Sequence, residues 1–109
     1  MERVNEFDLK YRNGDAGPKY FFRGPNIDWG VILIKPGEEM GTHGHNIVEE
    51  TFYFPEGGCE IEINGIKYNA AKGDAFRLYP NEMHNIKNIS GGEVKILFIK
   101  YPYLPEDKI

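Results

Sequence analysis

The clearest pattern in the chain is residues 59–70, CEIEINGIKYNA. Cys59, Ile61 and Ile63 alternate with Glu60 and Glu62, which is the period of a half-buried strand. Asn64-Gly65 is the favoured two-residue type I′ loop, so Ile63 and Ile66 are predicted to face each other across a hairpin. Ile66 and Tyr68 resume the apolar face, while Lys67 and Asn69 point away. Other strand-like runs follow the same logic. Residues 29–34, WGVILI, are closed by Pro36-Gly37, and residues 50–54, ETFYF, by Pro55 and Gly57-Gly58. AFRL at 75–78 follows the turn Lys72-Gly73-Asp74, where the Asp74 carboxylate is expected to bond local N–H groups. Pro80-Asn81-Glu82 leads into HNIKNI at 84–89, and Ser90-Gly91-Gly92 reverses the chain into EVKILFIKY at 93–101. No window carries a helical apolar period.

Short strands separated by turns at intervals of about 8–12 residues predict an all-β sandwich or barrel. The length predicts one domain over residues 1–109. Its core covers about 30–100, residues 1–28 form an N-terminal strand or arm, and residues 102–109, with two prolines, form an irregular tail. Val31–Ile34 and Val94–Ile99 are apolar on both faces. One face serves the interior, and the other needs cover from the N-terminal segment or a second subunit. A homodimer is therefore expected, with part of Ile32, Ile34, Leu97, Ile99 and Tyr101 at the contact. Trp29 and most phenylalanines are expected in the core or lining the barrel, and Cys59 in the core, in phase with Ile61 and Ile63.

Charge and cysteine usage narrow the partners. The net charge is −4 and no basic cluster occurs, which argues against nucleic acid. The first residues, MERVNEFDLKYR, lack the apolar core of a signal peptide, and Val31–Ile34 is far too short to span a bilayer. One cysteine permits no intrachain disulfide. These features predict a reducing, cytoplasmic setting without membrane contact.

The candidate chemistry sits in residues 41–54, GTHGHNIVEETFYF. In an extended strand His43 and His45 point the same way and aim two imidazoles at one ion. Glu50 lies at an odd offset from His45, so the chain must bend over residues 46–49 before a carboxylate returns to the same site. Glu50, Phe52 and Phe54 share one face of the next strand; Glu49, Thr51 and Tyr53 share the other. If the phenylalanines face the core, so does Glu50, where a lone carboxylate is costly unless paired or metal-bound. Glu50 is the sharper candidate and Glu49 the solvated one. Arg77 is read as a surface arginine that otherwise would clamp a substrate carboxylate.

At this point the sequence resembles the cupin superfamily, in particular its small single-domain members. Gly37, His43, His45, Glu50 and Gly57 reproduce the spacing of that family's first motif. Gly73, His84 and Asn88 reproduce its second, with two departures: Tyr79 stands where the motif has Pro, and Asn81 where it has Gly. Asn best tolerates the left-handed conformation among the other residues, so the turn is expected to survive. The resemblance covers residues 30–100 and implies a conical antiparallel β-barrel of jelly-roll type, a double-stranded β-helix. It also implies one divalent ion on His43, His45, Glu50 and His84, and a dimer that exchanges N-terminal strands, here residues 4–11. Three imidazoles and one carboxylate suit Fe, Mn, Ni, Zn, Co or Cu, and leave two positions open if the ion is octahedral.

Two functions fit that resemblance. One is a metal-dependent enzyme on a small organic substrate, of dioxygenase, isomerase, decarboxylase or lyase type. The other is a non-catalytic small-ligand-binding or sensory module. The residues single out no substrate.

Overall fold

The computed structural model describes residues 1–109. A single 3-10 turn at Glu6–Asp8 precedes eight strands: β1 (Gly17–Arg23), β2 (Asp28–Ile34), β3 (Glu49–Phe54), β4 (Cys59–Ile63), β5 (Ile66–Ala70), β6 (Asp74–Leu78), β7 (His84–Asn88) and β8 (Val94–Tyr101). Five strands form one sheet in the order β1-β2-β8-β3-β6, and three form the other, β5-β4-β7. All pairings are antiparallel. The expected all-β jelly-roll architecture is present, as two facing sheets rather than one continuously hydrogen-bonded barrel. The free edge of β7 is covered by the segment before the histidines. Met40 donates its N–H to Ile86 O, Asn88 donates to Glu38 O, and bridges join Glu39 to Lys87 and His43 to His84.

The core lies between the sheets. Ile32, Ile34, Phe52, Phe54, Ile96 and Phe98 from the large sheet meet Cys59, Ile61 and Ile86 from the small one. The strand phase read from ETFYF holds: Glu50, Phe52 and Phe54 are buried, and Tyr53 is exposed. Asn88 is wholly buried and fastens the turn that follows it. Its amide donates to Ile34 O and Gly92 O, and its Oδ1 accepts from the Ser90 N–H and hydroxyl. Asn81 takes a φ of 71°, as expected of a residue standing in for glycine, and Asp74 accepts the Ala71 N–H.

Several expectations need correction. β1 is the strand that the N-terminal strand or arm left unplaced; it is a sheet edge, where its Pro18 is tolerated. The 59–70 hairpin has the expected register and left-handed loop residues. Yet Ile66 and Tyr68 are 58% and 44% exposed, because β5 is an edge strand, with Phe76 of the facing sheet 6.5 Å from the Tyr68 ring. Trp29 faces outward, not into the core, stacked edge-on against Phe21 at 4.9 Å where β1 is bulged. Phe7 is exposed as well. Gly30 makes that bulged pairing possible, since a Cβ there would lie 2.0 Å from Lys19 O.

The outer face of the large sheet is partly covered by the chain's own N-terminal segment. The Lys19 ammonium donates to Glu6 O and sits over the Tyr11 ring, and Lys95 pairs with the Glu6 carboxylate. Of the residues expected at a subunit contact, Ile32 and Ile34 belong to the core, whereas Leu97, Ile99 and Tyr101 face outward.

Candidate metal centre

His43 and His84 meet although they lie far apart in sequence. Their backbones form a reciprocal hydrogen-bonded pair, 2.9 Å from His43 N to His84 O and 2.8 Å in return. Such a pair places both side chains on the same face. Their rings stand 4.2 Å apart. After His45 the chain bends, as the offset to Glu50 requires. The bend is held from the other end of the protein: the Asp107 carboxylate accepts the N–H groups of Asn46, Ile47 and Val48 at 3.0, 2.7 and 2.8 Å. Ile109 N–H donates to Gly44 O, closing a C-terminal strap over the loop. Gly44 sits close to its neighbours: a Cβ there would lie 2.7 Å from Met83 Sδ, 3.2 Å from Glu82 O and 3.3 Å from Ile109, so a side chain would have to displace the Met83 thioether.

The four polar side chains converge on one atom. Glu50 Oε1 lies 3.1 Å from His45 Nε2, 3.4 Å from His84 Nε2 and 3.9 Å from His43 Nε2. The donor atoms of His43, Glu50 and His84 all lie within 4.8 Å of one another; His45 joins that cluster through Glu50. Each imidazole turns its Nδ1 to a backbone carbonyl: His43 to Gly41 O at 3.0 Å, His45 to Asp107 O at 2.6 Å and His84 to Glu82 O at 3.3 Å. A carbonyl accepts only, so each Nδ1–H donates to it and each ring turns its Nε2 toward Glu50, that of His45 closely enough to hydrogen-bond the carboxylate. His84 Nε2 is buried and has no hydrogen-bond partner. Two ligands about 2.0–2.2 Å from one ion lie at most about 4.4 Å apart; all three Nε2 to Oε1 separations meet that bound, and His43, Glu50 and His84 form the compact group that His45 joins at Glu50 alone.

Electrostatics follow from this packing. Burial alone would push the Glu50 carboxyl up, but the hydrogen bond with His45, the nearby His84 ring and the charge of Lys100 hold it at about 2. His45 is raised by its bond to Glu50 against the effect of burial. His43 is lowered, chiefly by burial. Before an ion arrives, the positive charge that Glu50 demands is most easily supplied by a proton on His45.

Arg77, Glu49 and Tyr79 are remote from this cluster. Arg77 pairs with Glu49 at 3.5 Å on the outer face, and Tyr79 is 59% exposed. Cys59 is buried in the core, where desolvation pushes its thiol up to about 11. Sequence reasoning missed four residues. Asp107 lies in a tail with no periodic signal. Lys100, Asp28 and Tyr20 line the space beside the histidines. Lys100 and Asp28 had a signal, since each interrupts an inward apolar phase: Ile96, Phe98, Lys100 on β8 and Ile34, Ile32, Gly30, Asp28 on β2. The cavity beside His43, His45 and Glu50 has a volume of about 390 Å³.

Known proteins share this arrangement of strands. KdgF from Halomonas sp. superposes with a TM-score of 0.82 at 19% identity, covering 97% of this chain and 96% of that one. Among curated sequences, pectin degradation protein KdgF from Dickeya dadantii is 36% identical over 58 residues, 52% of this chain and 53% of that protein. Polyketide synthase CurC from Streptomyces cyaneus is 27% identical over 81 residues, 73% of this chain and 52% of that protein. The chain thus spans about half the length of these curated relatives. The cupin-domain family model matches residues 30–100, the stretch that holds both motifs, and the chain belongs to the cupin family.

Proposed function

We propose that the protein is a metal-dependent enzyme acting on a small organic substrate between its two sheets, with one divalent ion held by His43, His45, Glu50 and His84. One observation carries this reading: the ligand atoms of His43, Glu50 and His84 lie within 4.8 Å of one another, and His45 Nε2 reaches the same Glu50 oxygen at 3.1 Å. A buried carboxylate so placed needs positive charge beside it, and a cation among the imidazoles supplies it in place of a proton. The donor set is borderline and monoanionic, which suits Fe, Mn, Ni, Zn, Co or Cu. Such an ion, when bound, supplies Lewis-acid activation of a substrate oxygen. The chain's own residues fix ring orientation through the three Nδ1 bonds and keep the carboxylate ionised. They also present Lys100, half-buried, beside the cluster. The likeness to KdgF, in one case a pectin degradation protein, supports turnover of a small oxygen-rich molecule rather than passive binding. Isomerase, lyase, decarboxylase and dioxygenase chemistry all remain compatible with this donor set.

Elemental analysis of protein purified from its native host tests the reading. One equivalent of a first-row divalent metal, lost in His43→Ala and His84→Ala, is the expected result. Metal-free protein that gains no stoichiometric ion on incubation with any of the six would overturn it.

We also propose that the protein works as a cytoplasmic homodimer, joined across the outer face of the large sheet at Leu97, Ile99 and Tyr101. Ile99 and Tyr101 are 41% and 54% exposed there, beside outward Trp29. A copy of the same face is the least costly cover. Light scattering that gives 12.5 kDa at micromolar concentration would refute the dimer.

A further inference from the structure

The inward row of the large sheet continues past Glu50. Register sets Lys100 of β8 directly beside Glu50 of β3 on one side and Asp28 of β2 on the other. Asp28 is 2% exposed. Its Oδ2 lies 3.6 Å from the Arg23 guanidinium, and its Oδ1 is buried without any hydrogen-bond partner. The Lys100 ammonium donates to the Tyr20 hydroxyl at 3.0 Å, which leaves two of its N–H donors for another group. Asp28, Lys100, Tyr20 and His45 line a second cavity of about 280 Å³ beneath the C-terminal strap. Tyr20, His45 and Lys100 also line the larger cavity that reaches His43 and Glu50. The two spaces therefore adjoin along Lys100, and a ligand seated against Glu50 extends naturally to Asp28.

We propose that Asp28, Lys100 and Tyr20 form the recognition end of the site, and that it binds a small hydroxylated carboxylate. The carboxylate of the ligand accepts from Lys100. A ligand hydroxyl donates to Asp28 Oδ1, the acceptor that the protein leaves unpaired. Arg23 balances the charge of Asp28, and Lys100, with Arg12 and Lys108 also in the lining of both cavities, is there to meet an anion. A neutral polyol gives Lys100 no anionic partner, and a plain fatty carboxylate gives Asp28 no donor. A site built around buried hydrogen-bonding groups rejects analogues that leave those groups unpaired. The assignment rests on the metal reading above only for the far end of the ligand, where it meets Glu50 and the histidines.

Calorimetric binding of glycerate and gluconate, against glycerol, glucose, propionate and hexanoate, tests the proposal on the zinc-loaded protein and on protein stripped by chelation and desalted. The hydroxy acids are expected to bind at least about tenfold more tightly than both control classes. Asp28→Asn and Lys100→Met are each expected to erase that preference, and Asp28→Asn, which contacts no metal ligand, to leave zinc affinity, titrated separately, within about twofold of the wild type. Thermal unfolding checks that both variants fold, and either one suffices. The preference should persist, weakened, in the stripped protein. That arm separates the two readings: a failed zinc titration sinks the metal assignment and leaves a hydroxy-acid preference standing. Hydroxy acids that bind no better than the controls, or a preference that survives in the folded variants, would overturn the proposal.

Discussion

Glu50 and Asp28 are both buried carboxylates, set on inward positions either side of Lys100, yet they are satisfied in opposite ways. Glu50 is surrounded by three imidazoles whose Nδ1 atoms are bonded to backbone carbonyls, so it faces three ring Nε2 atoms. Asp28 has a guanidinium on one oxygen and nothing on the other. The first arrangement calls for a cation, the second for a hydrogen-bond donor. Burying a carboxylate costs several kcal/mol when nothing compensates it, roughly 1–3 kcal/mol even for one unpaired polar group. A fold that carries two such debts side by side spends stability on binding, and the kind of deficit at each position tells which chemistry fills it.

Removing an imidazole from the Glu50 side should break the contrast most sharply. His84→Ala and His43→Ala are each expected to lower metal affinity by more than about 100-fold, beyond the roughly 10–100-fold of groups that merely orient ligands. Glu50→Ala should do the same and Glu49→Ala should cost less than about twofold, read by plasma emission after dialysis; the reverse order would mean that β3 is out of phase. Asp107→Ala acts one step away. It releases the bend at 46–48 and the strap whose carbonyl orients His45, so metal affinity is expected to fall about 10–100-fold. Although desolvation opposes it, bonding to the backbone N–H groups of Ile47, Val48 and Asn46 holds the Asp107 carboxyl below its ordinary value. Its contribution is therefore present above the ordinary carboxylate range and lost as pH falls through the depressed value, and strap opening should be seen only in strong acid.

pH sharpens the comparison further. Glu50, held at about 2, stays ionised wherever the protein is used. Loss of metal in acid must then come from the imidazoles, which coordinate only when neutral. His45 is raised by Glu50, so protons begin to compete above the ordinary imidazole value of about 6.5. Metal affinity is expected to fall from about pH 7 downward; a flat profile between about pH 5 and 8 would show that histidine is not the principal ligand. The smallest effect belongs to the outer face. Arg77→Ala removes an exposed pair with Glu49 and should change unfolding free energy by less than about 1 kcal/mol, with metal affinity untouched.

Much of this molecule was legible in the sequence, for definable reasons. The alternation of CEIEI, the Asn64-Gly65 loop and the phase of ETFYF are local signals, and each survived in the fold. The spacing of His43, His45 and Glu50 forced a bend, and the bend is there. What could not be read depends on contacts between distant segments. Ile66 and Tyr68 obey the apolar alternation yet stand open, since exposure on β5 depends on where the facing sheet ends. Trp29 faces out because register with β8 fixes its side, which a double-sided apolar run leaves undecided. Asp107 offers no pattern at all; its role exists only because the tail returns to residue 46. Lys100 and Asp28 were visible as breaks in apolar phase, and their importance emerged only when register put them side by side.

The reciprocal backbone pairing of His43 with His84 has a kinetic consequence. In the unfolded chain these residues are separated by four of the eight strands, and closing that distance costs entropy that is offset once β4, β7 and the 38–43 segment have paired. An ion thus finds no preformed site until the topology is nearly complete. Metal should slow unfolding in proportion to its occupancy and leave the refolding rate unchanged, so that only the unfolding limb of a denaturant-jump experiment moves. An accelerated refolding limb would mean instead that the histidines gather early, with the ion acting as a nucleus rather than as a lock.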